Sequence, residues 1–319
     1  MRLMRGLSPK TVTGPGTVVT IGNFDGCHRG HRAVFARALL ASRERELTSA
    51  LITFEPLPLE FFAPERAPLR LQRLRDRVDV VRKAGFDRFW VLRFSSALAN
   101  LGAEDFVRQC LHKVLFARHV LVGDDFRFGK DRRGDFSLLE RMGRELGFSV
   151  EATPTVADAG GRISSTRLRS ILQHGSFSEA AELLGRAYRI SGRVAHGDKR
   201  GRQLGFPTAN LRLGHRPMVL RGVYAGWLHD LNAAEPCRWA AVANIGWRPT
   251  VGGSEQRLEA HVLDQTLDLY GRIVSFEPLQ ALRGEQRFAN LDALRAQIGQ
   301  DLVQARAVFH SLAGTGTTG

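Results

Sequence analysis

The chain has 319 residues, 43% hydrophobic and 24% charged, enough to fill one large core or two ordinary ones, and it lacks the composition of a disordered chain. Lys plus Arg number 46 against 32 Asp plus Glu, a formal net charge of +14, which suits nucleic acid or multiply charged phosphates without choosing between them. No apolar run reaches membrane-spanning length, and three scattered cysteines (Cys27, Cys110, Cys237) indicate neither a disulfide framework nor a zinc site; the expectation is a cytoplasmic protein with no membrane partner.

In chain order, short β-rich runs first alternate with helical periods. TVVTI (17–21) is followed by a helix from about Ala33, then LITF (51–54) and a helical spacing of Leu71, Leu74, Val78 and Val81. FWVLRF (89–94), a helix from about Glu104, HVLVG (119–123) and a helix over Leu138–Leu146 continue the pattern. Such alternation predicts an α/β doubly wound parallel sheet, with ligands beyond the carboxyl ends of its strands.

Near residue 186 the texture changes. YRISGRV, VYAGWL, WAAVANIG, LEAHVLD and IVSFEPLQAL, separated by Gly and Pro turns, predict a small β-barrel or sandwich. Apolar spacing at Leu291, Leu294, Ile298, Leu302 and Phe309 predicts a closing helix, and the GTGTTG tail is expected to be disordered. The expected organisation is therefore 1–185, 186–313 and a tail of 314–319.

The first chemical constellation is IGNFDGCHRGH, which ends a strand and enters a helix at about His31. Gly22, Gly26 and Gly30 permit close backbone approach, and amides at the following helix N-terminus can meet an anion. His28 and His31 can converge on the same anion. In nucleotidyl transfer, charge gathers on the α-phosphate as pyrophosphate leaves, so placed imidazoles and amides stabilise it with no nucleophilic side chain. The same pair also reads as polar loop residues or as a metal pair, although no Glu or third His follows at a zinc-protease spacing. Asp25 reads equally as a turn former or a ligand-facing carboxylate.

Three further segments fall where loops follow strands: TFEPLP (53–58), VGDDFRFGKDRRGD (122–135) and GRISSTRLRSIL (161–172). The second fails the Walker A pattern, because five residues separate Gly123 from Gly129 and Asp131 follows Lys130. In the third, Ser164, Ser165 or Thr166 can cap a helix, placing hydroxyls, amides and Arg169 near phosphate oxygens; a plain N-cap explains the same residues.

Together, GNFDGCHRGH, FEPLP, VGDDFRFGKDRRGD and ISSTRLR resemble the adenylyltransferase module of the bacterial bifunctional riboflavin kinase and FAD synthetase family. GRVAHGDKRGRQLGFPTANL (192–211), GVYAG, NIGWRPTVGG, LEAHVLD, DLYG and LRGEQRF resemble its kinase module, so the likeness spans nearly the whole chain. The resemblance implies riboflavin, FMN, FAD and ATP as substrates and products, ATP as co-substrate at both sites, Mg2+ as cofactor, and no need for nucleic acid. In the kinase module it implies Glu259 as catalytic base, Thr208 and Asn210 as the magnesium-associated pair, and the stretch containing Gly192, Gly197 and Gly201 as a cover over the nucleotide. In the adenylyltransferase module it implies His28 and His31 as the catalytic pair and Gly22, Asn23, Phe24, Asp25 and Gly26 as the nucleotide loop. Ser165, Thr166 and Arg169 are implied as phosphate-binding residues, and Asp125 and Phe126 as a loop near nucleotide and flavin.

Two departures stand out. The family's Pro-His-Pro is Pro56-Leu57-Pro58 here, and Gln265 replaces an aromatic after Asp264. Loss of an imidazole donor costs on the order of 1–3 kcal/mol if it binds phosphate. This motivates one alternative, a kinase with a weakened adenylyltransferase module; the net charge motivates another, a basic RNA-binding protein on the same nucleotide fold. Arg248 and Arg283 read either as ligand-side residues or as structural partners of carboxylates.

Overall fold

The computed structural model describes residues 1–6, 14–197, 205–250 and 253–314. The chain divides into two compact units: Met1–Pro68 with Arg77–Ser164, and Leu69–Asp76 with Ser165–Gly319.

The first unit is built on six strands: β1 (Arg2–Arg5), β2 (Thr17–Ile21), β3 (Thr48–Glu55), β4 (Arg88–Arg93), β5 (Ala117–Gly123) and β6 (Ser149–Thr153). They pair in parallel throughout, in the order β1-β4-β3-β2-β5-β6. All five residues of β2 are buried, as expected for a central strand covered on both faces. Its helices are α1 (Arg29–Glu44), α2 (Pro58–Phe62), α3 (Leu74–Ala84), of which the residues from Arg77 onward belong to this unit, α4 (Ser96–Ala99), α5 (Ala103–Asp105), which runs into a π-helical stretch over Phe106–Val114, and α6 (Phe136–Leu146). A short hairpin of β7 (Ala157–Asp158) and β8 (Gly161–Arg162) completes the unit. The core gathers Val19, Ile52, Trp90, Leu111, Val120 and Met142.

The strand order fixes where a ligand can sit. From β2 the chain moves to β3 and β4 on one side, then returns to place β5 on the other. The crevice at the carboxyl ends of β2 and β5 is thus the topological switch point. The loops leaving it are Gly22–His28 and the segment after Gly123.

The second unit carries α7 (Ser165–Gln173), α8 (Phe177–Leu184), then β9 (Ile190–Ala195), β10 (Ala209–Gly214), β11 (Gly222–Asp230), β12 (Cys237–Thr250), β13 (Gly253–Val262) and β14 (Ile273–Arg283). These six strands close an antiparallel barrel in the order β10-β13-β12-β11-β14-β9. A long helix, α9 (Leu291–Gly314), packs Leu302 and Ala305 against Val223, Ala225 and Val242. Leu291 departs from expectation: it is 66% exposed, ahead of the stretch that meets the barrel. Arg283 is a structural residue, its Nε and Nη2 both donating to the buried Asp301 carboxylate at 2.8–3.1 Å.

A segment from the first half of the sequence belongs to this barrel unit. Arg70 N–H donates to Pro217 O at 2.8 Å, and Val219 N–H donates to Arg70 O at 2.9 Å. Arg73 Nη1 donates to Ser191 O at 2.8 Å, and the Ser191 hydroxyl donates to Asp76.

Candidate active sites

At the end of β2 the backbone turns sharply. Phe24 and Cys27 adopt positive φ (48° and 43°) and Gly26 takes 91°. Gly22 is required by packing, since a Cβ there would lie 2.9 Å from the Phe24 ring. Phe24 is buried and meets His31 edge-on at 5.3 Å. Asp25 is 2% exposed, so it belongs to the buried frame of the loop. Asn23 is held through its carbonyl, which accepts from Thr53 Oγ1 at 3.1 Å.

The helix does not begin at His31, as the sequence suggested, but at Arg29. His28 is its N-cap, and its Nδ1 accepts from the His31 N–H at 3.3 Å. The three-residue spacing of the histidines is therefore the spacing of a cap and the third helical position. With Nδ1 accepting from the His31 N–H, the His28 proton sits on Nε2, near the N-terminus of α1. The two imidazoles stack at 3.7 Å with a 16° interplanar angle. Gly30 makes room for this, because a Cβ there would lie 3.1 Å from His28 Nδ1.

His31 keeps some accessible surface at its edge, yet the imidazole is deeply packed and its pKa lies well below the ordinary value, through lost hydration first, then His28 and Arg77. The imidazole is therefore uncharged at neutral pH. The unfolded chain binds that proton more tightly, so the stabilising contribution is fully present above about pH 6.5 and is lost as pH falls through the folded value. His31→Asn is expected to flatten this acid-side loss, read as a smaller drop in melting temperature between about pH 7.5 and 5.5 than the parent shows.

The loop after β5 is also shaped by the fold. Asp125 pairs with Arg162 at 2.8 Å, and Phe126 stacks on Phe128 at 5.3 Å. Leu57 is buried at 6% exposure and is the N-cap residue of α2, its N–H donating to Glu60 Oε2 at 2.9 Å. Ser165, Thr166 and Arg169 lie on α7 in the second unit, where Arg169 Nε donates to Leu69 O.

In the barrel, strand register assembles the second site. Asn210 on β10 opposes Glu259 on β13, which in turn opposes Asn244 on β12. Directly opposed antiparallel residues share a face, so the three form a row. Leu258, Ala260 and Val262 alternate with Glu259 and are buried. Arg248 approaches the Glu259 carboxylate at 3.3–3.4 Å, longer than a tight charge-assisted pair, which steers the carboxylate without locking it.

Asn210 Nδ2 donates to both Thr208 O and Thr208 Oγ1, at 3.1 and 3.2 Å. His261 Nδ1 lies 2.8 Å from Pro207 O, fixing the same turn. An open cleft is lined by Gly197, Thr208, Asn210, Gln265, Leu267 and Tyr270 among others; Glu259 pairs in register with the lining residue Asn210. Gly192 is packed under Leu211 and Arg73, and Gly201 lies outside the described residues.

Gly197 carries a clear expectation. A Cβ there would lie 2.5 Å from Asn210 Cγ. Gly197→Ala should displace that side chain at a cost on the order of 1–3 kcal/mol, or about 5- to 160-fold in the rate of any reaction that depends on the Thr208/Asn210 turn, with chemistry at the paired histidines unchanged on the same preparation.

Sequence reasoning overlooked Thr53 and Arg77 beside the first site and His261 beside the second. Arg77 is 0% exposed, and its Nη1 donates to Thr53 Oγ1 at 3.0 Å.

A doubly wound parallel unit with paired histidines at its switch point, together with a closed barrel presenting a carboxylate beside an Asn/Thr turn, defines a two-module nucleotide-dependent transferase. An FAD synthetase family model matches residues 11–167 and a riboflavin kinase model residues 184–309. The bifunctional riboflavin kinase/FMN adenylyltransferase of Escherichia coli K12 is 45% identical over 310 residues, covering 97% of this chain and 98% of its own. That of Pseudomonas fluorescens is 46% identical over 309 residues, covering 97% and 98%. The chain belongs to the bifunctional riboflavin kinase/FMN adenylyltransferase family.

A solved structure from Streptococcus pneumoniae, described as a macrolide-efflux protein, matches with a TM-score of 0.72 and 31% identity, covering 95% of this chain and 98% of its own. Among the described residues no helix is long and apolar enough to cross a membrane.

Proposed function

We infer that the chain makes FMN from riboflavin and ATP in its barrel unit, and FAD from FMN and a second ATP in its parallel-sheet unit. The observation that carries this is the end-to-end likeness to curated bifunctional relatives, 45% identical over 97% of the chain. Neither the RNA-binding alternative nor a kinase with a weakened partner module has comparable support.

In the first reaction the riboflavin 5′-hydroxyl attacks the γ-phosphorus of ATP, releasing ADP and one proton. Glu259 accepts or orients that proton, with Arg248 aiming its carboxylate. The Asn210 amide spends its donors on Thr208, which leaves Asn210 Oδ1 as a hard oxygen. Thr208 and Asn210 thus offer hard oxygens to Mg2+, an ion that keeps several waters and takes substrate phosphates among its ligands instead of needing an all-protein cage. When bound, the ion supplies charge neutralisation at the transferring phosphates.

In the second reaction a phosphate oxygen of FMN attacks the α-phosphorus of ATP and pyrophosphate leaves. The nucleophile is already anionic, so no general base is needed; His28 Nε2–H, the α1 N-terminal amides and neutral His31 donate to the developing charge. Isotope placement tests the division of labour. Label from γ-labelled ATP should appear in FMN and persist in FAD, whereas label from α-labelled ATP should appear in FAD only. Label from α-labelled ATP in FMN, or no α-label in FAD, would overturn the assignment.

A further inference from the structure

Arg77 is fully buried, yet among the described residues only its Nη1 has a partner; Nε and Nη2 have none, and no ion pair to it is formed. A guanidinium carries five donors and stays charged, so leaving two nitrogens unmatched in the interior costs stability unless something else offsets it. Its single bond points at the nucleotide loop: Arg77 Nη1 donates to Thr53 Oγ1 at 3.0 Å, and that hydroxyl donates to the Asn23 carbonyl at 3.1 Å.

We propose that Arg77 is a positioning residue for adenylyl transfer, a fixed buried charge that holds the Asn23 backbone through Thr53 and is offset by the polyphosphate of the incoming nucleotide. This rests on the FAD-forming reading of the first unit. The buried state excludes direct contact with substrate, so the charge acts through the loop and through space, where little water screens it. The pKa of His31 is depressed by lost hydration first, then by His28 and Arg77, in keeping with a field from Arg77 that reaches His31.

The test uses the full chain with three substitutions, assaying riboflavin phosphorylation and FMN adenylylation on the same preparations and following the His31 imidazole by NMR titration. Arg77→Met should lower adenylylation at least about tenfold, equivalent to 1.4 kcal/mol, mainly through kcat/KM for ATP, leave phosphorylation within about twofold, and raise the His31 titration midpoint. Arg77→Lys, which keeps the charge, should recover most of the activity and keep the midpoint low. Thr53→Val, which cuts the link but keeps the charge, should slow adenylylation without moving the midpoint.

Folded Arg77→Met with parental adenylylation, or with an unmoved His31 midpoint, overturns the proposal. If that variant does not fold, Arg77→Lys with adenylylation down tenfold or more, or Thr53→Val with parental adenylylation, does the same. A parent that makes no FAD at all sinks the functional reading and this role with it, a result distinct from an active parent with insensitive variants.

Discussion

Glu259→Gln is expected to reduce riboflavin phosphorylation by about 10²- to 10⁴-fold, the usual contribution of a positioned general base, while FMN supplied directly is still converted to FAD. The substitution preserves side-chain shape, and the strand register that sets Glu259 between Asn210 and Asn244 is made by backbone bonds it leaves intact. The pairing with Arg248 is long, so neutralising the carboxylate removes a basic group with little loss of stability. A variant that phosphorylated riboflavin at the parental rate would show that another group handles the hydroxyl proton. One that lost both activities while folded would show that the two reactions do not occupy separate sites.

His28→Ala is expected to do the reverse, slowing FAD formation by about 10²- to 10³-fold and sparing FMN formation. Two effects combine in this residue. Losing the donor proposed for the transferring phosphate is expected to cost about 10²- to 10³-fold in rate, by analogy with removal of an oxyanion-hole donor. Losing the N-cap acceptor for the His31 N–H costs ~1 kcal/mol of stability. His28→Asn separates them, because Asn is a strong N-cap with no imidazole: it should restore the melting temperature and leave adenylylation slow. Recovery of adenylylation with Asn would mean that His28 serves only to start the helix.

The central strands were legible because burial on both faces leaves a run such as TVVTI with no polar interruption. β1 was missed for the opposite reason: its four residues, RLMR, are mostly exposed and have arginine at both ends. β10 lay hidden in GFPTANL, whose turn-forming residues mask the strand that follows. The start of α1 was set two residues late because histidine is an unusual cap, and only the Nδ1 contact identifies it. Segment Leu69–Asp76 joins the barrel unit through backbone and arginine bonds that composition does not register.

The candidate sites divide in the same way. Glycines whose Cβ would strike a named side chain, such as Gly22, Gly30 and Gly197, carried their signal in the motif. The stacking of the two imidazoles is a consequence of helix geometry that the spacing alone left open. Arg77 was invisible because it sits in LRDRVDVVRKA, one of several arginines on what reads as a solvated helix face. Nothing in the residue types distinguishes the buried Arg77 from exposed neighbours; only its distance to Thr53 does.

The most direct test of the account is a time course of the purified chain with riboflavin and Mg-ATP, resolving riboflavin, FMN and FAD by chromatography. FMN should rise first and then decline as FAD accumulates, with one ADP and one pyrophosphate released for each FAD. FMN that accumulates to completion under excess ATP, with no FAD, would contradict the two-activity account and turn attention to Leu57; riboflavin left unchanged would contradict both activities.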